Sequence, residues 1–149
     1  MEENNNNLQN NGNCDNNNLN SDFVFCKIIR GETPCFKIYE NEHVLAFLDI
    51  RPVSQGHTII IPKKHIKNYF DIEGELFSKI NNSLKIVKNK LKIFNKKNIF
   101  YFIIGFDIDH AHIHLVPAND MIELNNFKNQ DIPMVELENT YKKIMEDEI

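Results

Sequence analysis

The sequence lacks the features that mark membrane-spanning and secreted proteins. No apolar run approaches the length of a membrane span, and no charged-then-apolar signal segment opens the chain. Cysteine is scarce, and its three positions, Cys14, Cys26 and Cys35, make an odd set. We therefore expect a soluble protein of a reducing compartment, with the cytoplasm as its main location and the nucleus as a second one.

Positive charge is too thinly spread for a nucleic-acid-binding surface. The 17 lysines and arginines are scattered, with short clusters such as Lys63-Lys64 and Lys96-Lys97, and the formal net charge is −4. We expect neither a nucleic acid nor a membrane as partner. The length of 149 residues and the hydrophobic content of 42% suit one globular domain with a single core.

Asparagine dominates the first part of the chain. Between Asn4 and Asn20, 11 of 17 residues are asparagine, so this segment has almost no apolar surface to offset the entropy of ordering it. Residues 1–21 are therefore predicted to be a disordered tail outside the core, and the domain is predicted to span residues 22–149. The tail is either a localisation or partner-binding arm or a compositional bias.

Short β-type runs fill much of the remaining sequence. Residues 36–50 predict a hairpin with a polar turn, and residues 55–62 predict a third strand that ends at a proline. Two more strands are predicted over residues 98–105 and 110–116. Together these runs predict a mainly antiparallel sheet of about five strands.

One long helical pattern separates the third and fourth predicted strands. Apolar residues recur there every three or four positions and predict an amphipathic helix over residues 73–94. A second, shorter helix is expected over residues 135–149. The predicted fold class is therefore α+β, a sandwich in which one principal helix covers the sheet.

The stretch "DHAHIHLVP" places three of the six histidines, His110, His112 and His114, at alternate positions. Alternate residues of a strand share one face, so three imidazoles would stand in a row. A purely structural role is disfavoured, because burying such groups costs stability unless they are hydrogen-bonded. Two interpretations remain from the spacing: the imidazoles bind a metal ion, or one neutral imidazole is a nucleophile whose neighbours handle phosphate charge and leaving-group protons.

The segment "HAHIHLVP" resembles the signature of the histidine triad (HIT) family of nucleotide hydrolases and transferases, in which histidines alternate with apolar residues. The blocks "KIIRGETP", "AFLDIRPVSQGH" and "IPKKH" resemble the N-terminal half of that family, in order and at the expected separations. The resemblance runs from about Phe23 to Pro117. It implies the HIT-like fold and a two-fold homodimer whose subunits pair edge to edge, with the helix of residues 73–94 contributing to the interface.

The resemblance also assigns roles to the histidines. His112 would be the nucleophile, whose Nε2 attacks the α-phosphorus and forms a nucleotidyl-imidazole that water cleaves. His114 would act near the leaving group, and His110 would help to order the phosphate pocket. His57 matches a fourth histidine that packs against the triad, and a hydrogen bond from the other ring nitrogen would fix the tautomer of His112. This mechanism requires no metal and no other cofactor.

The resemblance places the nucleoside at a second group of residues. Asp49 matches the acidic residue that accepts hydrogen bonds from the ribose hydroxyls. The residues that match the apolar base slot are Phe25, Ile28, Phe47, Ile50 and Ile59. For Ile28 and Ile59, ordinary core packing explains the residue types equally well.

The linker "GFDIDH" departs from the family pattern. Phe106 follows Gly105 where many members carry a phosphate-binding glutamine, and Asp107 stands where a small hydroxyl residue is common. A carboxylate facing the pocket would repel phosphate. Asp107 and Ile108 are still assigned to the nucleotide site, with backbone amides of residues 107–109 expected to carry more of the phosphate contact.

A second departure concerns metal binding. Some members begin with "CxxC" and bind structural zinc, but here Phe23 stands where the first cysteine would be and Cys26 alone remains of that pair. Structural zinc is therefore not expected from the sequence.

The sequence thus predicts a hydrolase or nucleotidyl transferase that acts on purine nucleoside phosphoramidates or adenylylated amines through a His112 intermediate. The expected partner is a purine nucleotide, such as an adenosine monophosphate conjugate. Two alternatives stay open: a dinucleoside polyphosphate hydrolase of the same fold, and a nucleotide-binding regulator without turnover.

Overall fold

The computed structural model describes residues 12–14, 23–105, 108–124 and 130–147. Most of the predicted disordered tail, together with Phe106 and Asp107 of the linker, lies outside these ranges. Within the tail, Gly12–Asn13 form a two-residue strand, β1, and the next residue, Cys14, is 7% exposed. This part of the asparagine-rich segment therefore packs against the domain, which its composition did not indicate.

The main sheet has five strands, and every neighbouring pair is antiparallel. Besides β1, the strands are β2 (Lys37–Glu40), β3 (Val44–Leu48), β4 (Thr58–Pro62), β5 (Lys64–His65), β6 (Asn98–Phe102) and β7 (Ile113–Ala118). The order in the main sheet is β2-β3-β4-β7-β6, and a separate two-stranded sheet joins β1 to β5. The predicted α+β class and five-stranded sheet are confirmed.

The long helix also forms where its apolar spacing predicts it. Helix α2 spans Gly74–Leu91, after α1 at Val24–Ile29, and a 3-10 turn at Lys92–Phe94 extends it. It buries Ile80, Val87 and Leu91 along one face, against the sheet core. Asn95 then adopts a left-handed conformation with φ of 53°, which ends the helix.

Two further helices follow the last strand. Helix α3 covers Met121–Leu124, and α4, the predicted C-terminal helix, covers Met134–Glu146 and buries Leu137 and Ile144. Among the described residues, no helix has the length and apolar content needed to cross a bilayer. The short helices α1 and α3 were not anticipated from the sequence.

The histidine row begins before its strand rather than inside it. Strand β7 starts at Ile113, so only His114 of the three histidines lies within the ladder, paired with Ile59 of β4. Ala111 N–H donates to the Ile66 carbonyl at 2.6 Å and keeps the preceding segment close to the sheet. Residues 110–112 lie outside the ladder, and the His110 carbonyl there accepts a hydrogen bond from a side chain, the His112 ring.

A tight turn between β3 and β4 places His57 beside the histidine row. Gly56 has a φ of +88°, and a Cβ built there would lie 2.5 Å from the Phe94 ring and 3.2 Å from Pro117. The turn therefore requires glycine for both its backbone conformation and its packing. Ser54 Oγ donates to the Pro117 carbonyl at 2.7 Å and ties the turn to β7.

Candidate active site

A cleft of about 560 Å³ opens beside His112 and His114, between helix α1 and the ends of β3, β4 and β7. Its size lies within the range of small-ligand sites. Ten of the sequence-predicted residues line it: Phe25, Ile28, Phe47, Asp49, Ile50, His57, Ile59, Ile108, His112 and His114. The structure thus brings the predicted chemical and apolar groups together around one cavity.

The backbone fixes the tautomer of His112. Its Nδ1 lies 2.7 Å from the His110 carbonyl oxygen, which can only accept a hydrogen bond. Nδ1 therefore carries the proton, and Nε2 keeps its lone pair. The ring is 5% exposed and rests edge-on against Phe25, with centroids 5.4 Å apart. The hydrogen-bond partner that sets this tautomer is a carbonyl, not the His57 ring.

His57 and His114 form a second pair with a defined proton order. The Val53 N–H donates to His57 Nδ1 at 3.0 Å, so the His57 proton resides on Nε2. His57 Nε2 then donates to His114 Nδ1 at 2.9 Å. His114 is left with a proton on Nε2, and its ring contacts the His112 ring with centroids 5.1 Å apart. The site therefore has one nucleophilic nitrogen and a hydrogen-bond donor on the neighbouring ring.

Burial keeps this pair neutral. It lowers the pKa of His57 to about 4 and is also the main cause that lowers the pKa of His114 to about 4. The neighbouring His57 lowers the pKa of His114 further, while Asp49 opposes that change. At neutral pH both rings are uncharged, so His114 acts as a hydrogen-bond donor and not as a cation.

Asp49 lies at the mouth of the cleft, where β3 ends. Its Oδ1 accepts the Arg51 N–H at 2.8 Å, and its Oδ2 lies 3.6 Å from His57 Nε2. Burial raises the pKa of Asp49, and the hydrogen bond from Arg51 acts against that rise. One carboxylate oxygen therefore holds the turn, while the other faces the site and retains acceptor capacity.

His110 contributes its main-chain carbonyl to the site, and its side chain does not line the cleft. The ring is fully buried, with Nε2–H donating to the Pro62 carbonyl at 2.8 Å. Its other nitrogen, Nδ1, points away from the cleft towards His65 Nδ1, 3.1 Å away. The ring therefore lies behind the predicted phosphate pocket, and its carbonyl orients His112.

Residues 30–121 match the family model of the HIT domain. The chain belongs to the HIT family. A HIT-like protein from Methanocaldococcus jannaschii is 33% identical, over 75% of this chain and 94% of its own length. The adenosine 5′-monophosphoramidase of Saccharomyces cerevisiae is 37% identical, over 68% of this chain and 66% of its own. A HIT-like crystal structure from Bartonella henselae superposes with a TM-score of 0.75 at 32% identity, covering 83% of this chain and 94% of that one.

The apolar slot of this HIT protein lies under helix α1. Phe25 and Phe47 meet edge to face, with centroids 5.7 Å apart, and both are 4% exposed. Ile59 is buried beside them, Ile28 and Ile108 are half-buried, and Ile50 is 62% exposed at the rim. Ile28 and Ile59 pack against Phe25 and Phe47 and also line the cleft. Both positions therefore combine core packing with a place in the lining of the apolar slot.

Some residues of the cleft could not be identified from their residue types in the sequence. Cys35 and Ile104 line the cavity, although neither position stands out in the sequence. Val53 also lines it, and its important group is the backbone N–H, which residue identity does not reveal. Asp107 lies outside the described residues, and its assignment to the nucleotide site stays a prediction.

Two groups of side chains in the described ranges have the composition of a metal site. Asp49, His57 and His114 lie inside the cleft, and the hydrogen bond between the two rings already occupies their facing nitrogens. The second group lies behind the cleft and consists of Cys14, Cys26, His65 and His110. Its four donor atoms lie within 4.8 Å of one another, and all four residues are buried.

Proposed function

We propose that this HIT protein is a hydrolase or nucleotidyl transferase of purine nucleoside phosphoramidates and related adenylylated conjugates. The observation that carries the proposal is the lone pair of His112 Nε2, which the His110 carbonyl sets, on a ring that contacts His114, whose own Nε2 carries a proton. The adenosine 5′-monophosphoramidase among its relatives supports the substrate class.

In the first step, the lone pair of His112 Nε2 attacks the α-phosphorus, and the bond from phosphorus to the leaving group breaks. The His112 ring gains positive charge, which the His110 carbonyl stabilises through its hydrogen bond to Nδ1. His114 Nε2–H donates a hydrogen bond to the departing nitrogen and offsets its developing negative charge, and this nitrogen leaves as the amine with a proton taken from solvent. In the second step, water attacks phosphorus and releases a proton to solvent, the phosphorus–nitrogen bond to His112 breaks, and the electron pair returns to Nε2.

The nucleoside end of the cleft suits a purine ribonucleotide. The slot formed by Phe25, Phe47 and Ile59 offers apolar and aromatic surface for a flat base. Asp49 lines the same cleft with its Oδ2 3.6 Å from His57 Nε2, and this oxygen can accept hydrogen bonds from ribose hydroxyls. The cleft thus offers surface for a base, an acceptor for a ribose and imidazoles for an α-phosphate.

A comparison of substrates and variants tests the proposal. Wild-type protein is expected to turn over adenosine 5′-phosphoramidate with a higher kcat/KM than a diadenosine polyphosphate. His112→Ala should lower turnover by at least about 10³-fold while adenosine monophosphate binding persists. His43→Ala is the matched control, because His43 lies at the surface away from the cleft, and it should keep full activity.

Each alternative has its own outcome in this experiment. A preference for diadenosine polyphosphates would assign the protein to that branch of the same fold. Nucleotide binding without turnover of any of these substrates would overturn the enzymatic proposal in favour of a regulator. Activity in His112→Ala comparable to the parent would remove the nucleophile assignment.

We also propose that the protein forms a two-fold dimer through β6. This strand lies at one edge of the sheet, so its outer backbone groups have no ladder partner within the described chain. Exposed apolar side chains lie on this strand and directly after it: Tyr101 is 75% exposed and Ile103 43%. Pairing of two β6 edges would extend the sheet and cover these side chains.

A further inference from the structure

The peptide group between Pro52 and Val53 is hydrogen-bonded at both of its ends. Its carbonyl accepts the Gln130 N–H at 3.2 Å, and its own N–H donates to His57 Nδ1 at 3.0 Å. Because a peptide group is planar and rigid, the bond at one end fixes the direction of the other. Pro52, Val53 and His57 are all buried, so bulk water does not simply replace a partner lost from either bond.

Hydrogen bonds continue from this peptide to the cleft. His57 Nε2–H donates to His114 Nδ1 at 2.9 Å, which leaves the His114 proton on Nε2. Four donors thus follow one another in a single direction: the N–H groups of Gln130 and Val53, and then the Nε2–H groups of His57 and His114. Each bond in such a chain polarises the next. The last donor is the one that the proposed mechanism directs at the leaving group.

The chain also selects between two proton arrangements. A neutral imidazole carries its proton on either nitrogen, and a donor that faces one nitrogen forces the proton onto the other. If the Val53 N–H turned away, nothing in the chain would keep the proton off His57 Nδ1. His57 Nε2 would then accept from His114 Nδ1, and His114 Nε2 would hold a lone pair in place of its proton. The Asp49 carboxylate lies 3.6 Å from His57 Nε2, too far for a hydrogen bond that would hold the proton there.

Side-chain packing does not fix this peptide from the side of the C-terminal helix. A cavity of about 420 Å³ lies between the turn and α4, and Pro52, His57 and Gln130 are among the residues that line it. Open space beside a backbone segment leaves room for the segment to shift. Ser54 anchors a neighbouring part of the turn to β7. The Gln130 bond supplies the corresponding restraint from the C-terminal segment.

Gln130 lies beyond the part of the chain that matches the HIT domain. Next to it, Asp131 Oδ1 accepts a hydrogen bond from Arg51 Nε at 3.0 Å. Ile132 then packs against the main core, and Leu137 of α4 is buried in it. These contacts hold the Gln130 backbone against the turn, while the Gln130 side chain is exposed. The group that acts is therefore the backbone N–H, which any residue except proline supplies.

We propose that the Gln130 N–H is a positioning group for the reaction: it orients the Pro52–Val53 peptide and thereby fixes the proton order of the His57–His114 pair. The effect on turnover rests on the proposed function, whereas the proton order is a property of the free protein. The C-terminal segment thus contributes to the active site, although Gln130 does not itself line the cleft.

The experiment compares Gln130→Pro, which removes the N–H, with the matched control Gln130→Ala, which keeps it. Nitrogen NMR of isotope-labelled, ligand-free protein at neutral pH measures which imidazole nitrogens of His57 and His114 carry protons. The wild type and Gln130→Ala should show both rings protonated on Nε2 alone. In Gln130→Pro the signals of these rings should move towards averages of the protonated and unprotonated values, because the Val53 N–H no longer excludes the second arrangement.

Turnover of adenosine 5′-phosphoramidate gives the second readout. Gln130→Pro should lower kcat by roughly 5-fold, the factor that one hydrogen bond contributes, and leave KM within about 2-fold, because the base slot and Asp49 are unchanged. Gln130→Ala should match the wild type in both constants. Urea unfolding of the two variants separates this effect from a loss of stability, which alone changes neither the imidazole tautomers nor kcat per folded molecule.

Imidazole tautomers and kcat in Gln130→Pro equal to those in Gln130→Ala would overturn the inference, and an active wild type would leave the proposed function standing. A wild type that turns over no nucleotide would instead remove the proposed function, while the NMR comparison would still decide the proton order. If Gln130→Pro fails to fold, the wild type decides. A scalar coupling across the hydrogen bond from the Gln130 nitrogen to the Pro52 carbonyl carbon is then expected, and a Gln130 amide that exchanges as fast as in an unstructured peptide would contradict the proposal.

Discussion

Acidification should destabilise the protein through His57. Burial lowers the pKa of this ring to about 4 in the folded state, whereas an unfolded chain gives histidine its ordinary value near 6.5. Between these two values the unfolded state binds more protons than the folded state. The stabilising contribution of neutral His57 is therefore complete above about pH 6.5 and is lost as the pH falls towards 4.

The size of the effect follows from the two pKa values. Each pKa unit corresponds to about 1.4 kcal/mol, so the full difference corresponds to about 3 kcal/mol. Between pH 7 and pH 5, where the unfolded ring becomes charged and the folded ring stays largely neutral, His57 alone should remove about 2 kcal/mol from the free energy of unfolding. This loss is a substantial part of the stability of a typical domain.

Urea unfolding at a series of pH values measures this directly. His57→Gln should lose about 2 kcal/mol of the dependence between pH 7 and pH 5, and the glutamine amide can still donate towards His114. His43→Gln, at the surface, should keep the full dependence. The comparison uses the slope with pH and not the absolute stability, so a general destabilisation of the variant does not affect it. Equal slopes for wild type and His57→Gln would refute the assignment of a buried neutral ring.

Two further results are expected. Asp49→Ala should weaken adenosine monophosphate binding by roughly 2–4 kcal/mol and the 2′-deoxy analogue clearly less, measured by calorimetry; equal losses would mean that Asp49 only holds the turn through Arg51. Light scattering at micromolar concentration should give a dimer mass for the wild type, and Tyr101→Lys on the β6 edge should shift it towards the monomer, whereas a monomeric wild type would contradict β6 pairing.

The sequence predicted the sheet and the long helix because both depend on local patterns. The spacing of Ile80, Val87 and Leu91 specifies one buried helix face, and the strands around Ile38 and Ile60 read as apolar runs between turn residues. The alternating histidines predict a strand that starts at residue 110, three residues before β7 begins. Histidine alternation has the period of a strand, but the carbonyl of His110 is used by a side chain and not by a ladder.

The sequence predicts the parts of the cleft in which side chains carry the chemistry. It is less informative about the parts in which backbone groups form the hydrogen bonds. Most of the expected residues line the cavity, but the groups that set the proton positions are the His110 carbonyl and the Val53 N–H, which almost any residue type could supply. The position of Cys14 was not predictable either. Its surroundings are polar and repetitive, and only the pairing of β1 with β5 brings it to Cys26.

The central claim is that His112 Nε2 forms a covalent bond to the α-phosphorus. A rapid acid-free quench of enzyme mixed with a stoichiometric amount of labelled adenosine 5′-phosphoramidate, followed by peptide mapping, tests it most directly. We expect adenylate on the peptide that contains His112, formed and lost at rates compatible with turnover, and absent from His112→Ala. Turnover without any labelled protein at early times, or adenylate on a different residue, would contradict it.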